Sequence, residues 1–166
     1  MDRFYYSNEC EDSSGFESGY DVFDRHLHEH DGVDVIHYVL DAKTDELVAY
    51  FSLVASALPY FVGERIDGVP AVELKMFAID KKYHGTGLAA SVFDEVLKAI
   101  EILTSEYVGA KIVLLYSVPV EKVVSLYLKK GFREVDGAFT AFESGFTQGC
   151  VPMYKMLRTA QNQSSK

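Results

Sequence analysis

Gly85 and Gly87, separated by Thr86, sit between an apolar run and an amphipathic one, with Lys81 and Lys82 just ahead. Residues of these types at this spacing suit the holding of an anion. Glycine has no Cβ, so a ligand can touch the backbone there. A turn that feeds a helix leaves the first N–H groups without intrahelical partners and adds the positive end of the helix dipole. A phosphate held at Gly85–Ala90, with Lys81 or Lys82 nearby, follows from this chemistry. The plain alternative is a tight strand-to-helix turn that binds nothing. The turn is not a nucleotide P-loop, because no Gly-Lys-Ser/Thr follows. Nor is it the dinucleotide fingerprint, which needs a third small residue at a different spacing.

Two elements must position that turn. Val72, Leu74, Met76, Phe77, Ala78 and Ile79 leave little polar alternation, as in a strand covered on both faces. From Leu88 the period changes. Phe93, Val96, Leu97, Ile100 and Leu103 recur every three or four residues and make one face of a helix.

The run Ala78-Ile79-Asp80-Lys81-Lys82-Tyr83-His84-Gly85-Thr86-Gly87-Leu88-Ala89 resembles motif A of the GNAT N-acetyltransferases, Arg/Gln-x-x-Gly-x-Gly/Ala. Lys82 stands at the Arg/Gln position, which keeps the charge and changes the side chain. The resemblance implies that His84, Gly85, Thr86, Gly87, Leu88, Ala89 and Ala90, with Lys82, hold the pyrophosphate of acetyl-coenzyme A. It implies that Phe77, Ala78 and Ile79 offer backbone to the pantetheine arm. It covers about Val72 to Val135 well and the flanks poorly.

A second landmark lies in Ser125-Leu126-Tyr127-Leu128-Lys129-Lys130-Gly131-Phe132, which is similar to the family's helix ending Tyr-x-x-x-Gly-Phe. There the tyrosine often protonates the departing coenzyme A thiolate. A phenol, with a pKa of about 10, is protonated at neutral pH and can do so. The plain alternative for Tyr127 is a core tyrosine at helical spacing. Where the family often has Asn earlier on the same helix, this chain has Val120. The attacking amine must also lose a proton, and Glu73, on the strand before the loop, is the best-placed carboxylate. A surface Glu73, or a water chain in its stead, stays open. Ser117 and Val118 end the next strand, where the two strands could splay to admit the arm.

Composition sets the frame. A chain of 166 residues, 48% hydrophobic, is globular and reads as one domain over 1–166. No apolar run reaches the length of a membrane span, and Met1-Asp2-Arg3-Phe4 does not open a signal peptide. Cys10 and Cys150 form no CxxC pair, so reduced thiols in a cytoplasm are expected. The net charge of -9 repels nucleic acid and anionic membrane unless charge is segregated. Lysines do gather late, at Lys81, Lys82, Lys98, Lys111, Lys122, Lys129 and Lys130, as a basic rim for a small anion. The acidic remainder suits a cationic amine.

Along the chain, residues 1–19 read as a short extended piece and a loop. Val22 to His30 read as a short helix. On it His26 and His30 share a face and His28 does not, so a solvated or substrate-facing helix is expected rather than a metal site. Val33–Leu40 and Leu47–Ala57 read as an antiparallel hairpin. Glu64–Pro70 reads as a loop with Asp67-Gly68 as its turn. Lys111–Val118 reads as a strand, and Pro119 suits the first turn of a helix running to Lys130, with Gly131 at its C′ position. Phe132–Val135 and Ala138–Phe142 read as short strands, Met153–Leu157 as a closing strand, and Gln161–Lys166 as a frayed tail.

The expected fold is α+β, the GNAT fold, with a mixed, mostly antiparallel sheet and helices on its faces. The expected activity is acetyl transfer from acetyl-CoA to the primary amine of a small molecule or peptide, by direct attack in a ternary complex. No cysteine lies in the motifs to carry a covalent acetyl group. No membrane or metal is expected, and a homodimer stays open. A rival within the family is the toxin branch that acetylates aminoacyl-tRNA. Phe16-Glu17-Ser18-Gly19 ahead of a short helix, Tyr50-Phe51-Ser52-Leu53 and the Ala-Ile-Asp-Lys-Lys-Tyr-His-Gly run resemble it. The acidic charge disfavours tRNA, which needs a phosphate-facing basic patch. A third reading is a non-catalytic CoA-binding module on the same fold.

Overall fold

The apolar runs form strands, and the computed structural model describes them over residues 3–29, 32–135 and 149–157. Seven described strands form one sheet in the order β1-β2-β3-β4-β5-β7-β6. Three α-helices accompany them among the described residues. The chain divides into two compact units.

The first unit comprises residues 1–54 and 74–94. It holds β1 (Phe4–Ser7), α1 (Asp21–Glu29), β2 (Val35–Asp41), the first part of β3 (Leu47–Val62) and the end of β4 (Arg65–Ile79). The opening turns of α2 (Leu88–Glu106) complete it. β1 pairs antiparallel with β2, and β2 with β3. Phe16, Leu27, Ile36, Leu40, Leu47, Tyr50, Met76 and Ala78 form one buried cluster. The apolar stripe of α1 is narrow, and Leu27 is its buried residue.

Polar groups fasten α1 more than apolar area does. His26 Nε2 lies 2.9 Å from Asp34 Oδ2, and Lys75 Nζ donates to Asp34 Oδ1 at 3.2 Å. The Asp34 side chain is fully buried and that of His26 nearly so. His26 is therefore a hydrogen-bond partner of Asp34 packed inside the protein, not the solvated or substrate-facing group expected. His30 lies outside the described residues. Burial raises the Asp34 carboxyl. The neighbouring Ser52 hydroxyl, His26 and Lys75 outweigh that and hold it below the usual carboxylate range. Ser52 Oγ itself is buried and makes no hydrogen bond of ordinary geometry, so His26 and Lys75 are the partners that matter.

The second unit comprises residues 55–73 and 95–166. It holds the far part of the β3–β4 hairpin, the rest of α2, β5 (Ile112–Ser117), α3 (Glu121–Lys129), β6 (Arg133–Glu134) and β7 (Val151–Met156). β7 pairs antiparallel with both β5 and β6. Leu58, Ala71, Ile112 and Leu114 are its buried cluster, with Tyr116, Val135 and Tyr154 packed on it.

Three expectations need correction. Residues 65–70 continue β4, and the turn falls at Gly63–Glu64. Gly68 is a strand residue because a Cβ there would meet Ala57 Cβ at 3.2 Å, so it marks a close cross-strand approach and not a turn. Pro119 precedes α3, whose N-cap is Val120. β4 is not evenly covered: Leu74, Met76 and Ala78 are buried, whereas Glu73, Lys75 and Phe77 are half-buried. The expected strand at Ala138–Phe142 and tail at Gln161–Lys166 lie outside the described residues. Among the described residues no helix is long and apolar enough to cross a membrane.

Replacing Asp34 by alanine leaves His26 and Lys75 around a buried site with no counter-charge. The expected loss is about 3 kcal/mol in urea unfolding. The pH dependence has a definite sign. An unfolded aspartate titrates near about 3.9, and the native carboxyl lies below its usual range. Its stabilisation is complete above the unfolded value and is lost as pH falls through the native one. The acid limb of the melting temperature should therefore be shallower in Asp34→Asn than in the wild-type protein.

Candidate functional site

Asp80 ends β4 and starts the loop. Its N–H donates to Val48 O at 2.9 Å, and its carboxylate is buried. Oδ1 accepts from Lys82 N at 2.8 Å, which caps a 3-10 turn over Lys81–Tyr83. The backbone then closes on itself. Tyr83 N donates to Asp80 O, His84 N to Lys81 O and Thr86 N to Tyr83 O. Thr86 Oγ1 donates to Tyr83 O at 2.7 Å and accepts from Leu88 N at 3.3 Å.

Gly85, Gly87, Ala89 and Ala90 are left over. Among the described residues their amides donate to no acceptor. Gly85 has φ 77° and Gly87 φ 84°, a region that L side chains rarely adopt. A Cβ at either would have nothing within 4 Å, so the space beside the backbone is open. Four amide donors at the start of α2, with the dipole behind them, are the kind of group that can cradle an anion.

The side chains ascribed to the cradle are engaged inside the protein. Lys82 Nζ bonds Glu46, which raises the lysine pKa, and Lys81 Nζ pairs with Glu17. The basic rim is thus matched by carboxylates at these two positions. His84 Nε2 lies 3.1 Å from Ile79 O, so that ring nitrogen carries the hydrogen and occupies one lone pair of Ile79. Phe77 packs edge-on against Phe93 with ring centroids 5.2 Å apart. That contact ties the strand end to the first turns of α2. Ala78 is buried in the core cluster of its unit.

The second unit carries the other named groups. Tyr127 is 8% exposed. Its place follows from how α3 stops: Gly131 N donates to Leu128 O and Phe132 N to Tyr127 O at 3.1 Å. The tyrosine and Phe132 rings lie 5.9 Å apart, the apolar contact that accompanies this kind of helix end. Burial pushes the Tyr127 phenol up to about 12. Glu73 is half-buried, and its charge adds to the burial that raises the Tyr116 phenol. Ser117 is buried, with its hydroxyl donating to Val118 O at 2.9 Å.

No protein-family model matches the sequence, and no curated protein matches it. Solved structures do match. A crystal structure of AtaTR bound with acetyl-CoA is 15% identical, covering 94% of this chain and 95% of that one, at a TM-score of 0.74. A KacTA–DNA complex is 19% identical, covering 93% of each chain, at 0.69. AtaT complexed with acetyl-methionyl-tRNAfMet is 14% identical, covering 90% and 93%, at 0.68. The fold is that of the GNAT toxins. On this GNAT fold the loop described above is the strand-to-helix turn after β4, so the motif and the architecture agree on one place.

Asp80 carried no functional weight in the sequence. Its signal is there in retrospect: an Asp two residues ahead of a turn amide is a capping residue.

Gly87→Val tests the cradle. A Cβ there meets nothing within 4 Å, so the fold should survive with a strain of about 1 to 2 kcal/mol. Coenzyme A binding, followed by calorimetry, should be lost. Unchanged affinity would put the phosphate elsewhere.

Proposed function

We propose that this chain is an acetyl-CoA-dependent N-acetyltransferase whose acceptor is the amino group of an aminoacyl-tRNA. The observation that carries the donor half is the set of unpartnered amides at Gly85, Gly87, Ala89 and Ala90. The acceptor half is supported by likeness: AtaT has this fold and has been solved with acetyl-methionyl-tRNAfMet. A small amine, the leading expectation from the sequence, has no counterpart among the neighbours named above.

The net charge of -9 works against tRNA taken as a whole. It is not spread evenly. Over 111–133 the one acid is Glu121, while Lys111, Lys122, Lys129 and Arg133 are exposed bases. These supply phosphate contacts in this reading.

Acetyl-CoA supplies an acetyl thioester to the attacking amine. The four amides hold the pyrophosphate, and Phe77–Ile79 offer backbone to the pantetheine arm. Tyr127, a phenol protonated at neutral pH, donates to the departing sulfur in this reading. Glu73 takes the proton that the amine loses. The amine attacks directly, so no residue of this chain forms a bond to the acetyl group.

Two measurements follow. Incubation with acetyl-CoA and a pool of aminoacyl-tRNAs should give N-acetylated aminoacyl ends by mass spectrometry, with activity falling steeply as salt rises. Activity on small amines alone, insensitive to salt, would overturn the acceptor. Tyr127→Phe should lower turnover by about 10² to 10⁴ with coenzyme A affinity kept. Wild-type turnover with the chemical step limiting would remove the hydroxyl from the mechanism.

A further inference from the structure

The Asp80 carboxylate has a second arm that the cofactor reading does not use. Oδ1 caps Lys82 N, and Oδ2 accepts from Glu17 N at 3.2 Å. The next residue returns the contact, with Lys81 N donating to Glu17 O at 2.7 Å. Glu17 is thus held at both its N–H and its C=O by the first two residues of the loop. Its neighbours are fixed in turn. Phe16 is buried edge-on against Tyr50. Ser18 is buried and donates from its amide to Asp24 Oδ1 at 2.8 Å, which sits inside α1. One chain of hydrogen bonds therefore runs from the loop through Asp80 and Glu17 into α1.

We propose that Asp80 is a positioning residue that makes the order of the cofactor loop and the order of the Phe16–Ser18 entry to α1 a single coupled event. This rests on the reading of Gly85–Ala90 as the coenzyme A site. The physical case is direct. The free loop has four amides without partners, so part of its backbone is held by few bonds and opens easily. An anion on those amides orders the loop. Glu17 is bound to that loop by one hydrogen bond to the Asp80 carboxylate and one to the Lys81 amide, so ordering one side lowers the opening frequency of the other. Both bonds to the carboxylate use separate oxygens, and neither can be made by the other's atom.

That geometry supplies the variant. Asp80→Asn has one acceptor oxygen for two amide donors, so one arm must break. Glu17→Gln removes the ion pair to Lys81 and leaves every backbone bond in place. Hydrogen–deuterium exchange is read with and without coenzyme A, as the ratio of bound to free rates at each amide. A uniform loss of stability does not imitate a site-specific change in that ratio. In the wild-type protein coenzyme A should slow exchange at 84–90 and also at 16–18, each by at least about fivefold. Glu17→Gln should behave alike. Asp80→Asn keeps one side-chain arm and the Lys81 N–Glu17 O bond, so it should weaken the protection at one of the two places and not at the other. Protection at 84–90 without protection at 16–18 in the wild-type protein overturns the coupling and leaves the cofactor site standing. That arm needs no variant to fold. Protection at both places in Asp80→Asn, undiminished from the wild-type protein, overturns the role of the carboxylate. Loss of the effect at 16–18 in Glu17→Gln alone assigns it to the ion pair and also overturns the proposal. No protection at 84–90 in the wild-type protein overturns the cofactor reading and this inference with it.

Discussion

A buried carboxylate that accepts from two amides on separate stretches of chain sets the geometry of the first unit. Asp80 needs both donors, because a charge taken out of water must be met by hydrogen bonds. Its demand fixes the 3-10 turn on one side and Glu17 on the other. The turn then spends its own donors in sequence. What remains at Gly85, Gly87, Ala89 and Ala90 is a surplus of N–H groups without acceptors among the described residues. The cradle is thus a consequence of how the loop is closed, not of basic side chains brought to it. Lys81 and Lys82 point to Glu17 and Glu46 instead.

Asp34 repeats the principle at the other end of α1. It is buried between His26 and Lys75, and Lys75 and Asp80 flank Met76–Ile79 on β4. A nine-residue helix with a single buried apolar side chain has little packing to hold it. Two aspartates do much of that task. Rigid elements place functional groups more sharply than loops do, and here a short helix is made rigid by charge rather than by area.

The parts legible in the sequence are those with local causes. The period of α2, the β5 run and the end of α3 at Gly131 each depend on residues within one or two turns, and each lies where the pattern put it. The motif loop was also legible, because glycines with positive φ announce themselves. The failures have non-local causes. Gly68 reads as a turn until Ala57 is known to lie across from it. His26 reads as a surface group until Asp34 is placed beside it. Asp80 reads as a loop residue until Glu17, far off in sequence, supplies its second donor. The acceptor is harder to read from the sequence, because net charge averages over the chain, whereas phosphate contacts depend on where the bases stand.

The β3–β4 hairpin has a consequence for how the chain reaches this state. Its strands run 16 and 15 residues and are joined by the short turn at Gly63–Glu64. Pairing across such a turn costs little loop entropy and proceeds in about 1 to 10 μs. The same two strands contribute residues to both compact units. β5 and β7, by contrast, pair across a long interval of sequence, and contacts of that kind form late. Folding can therefore begin from one local ribbon whose strands serve both units, with the longer-range pairings of β1 on β2 and β7 on β5 coming after it.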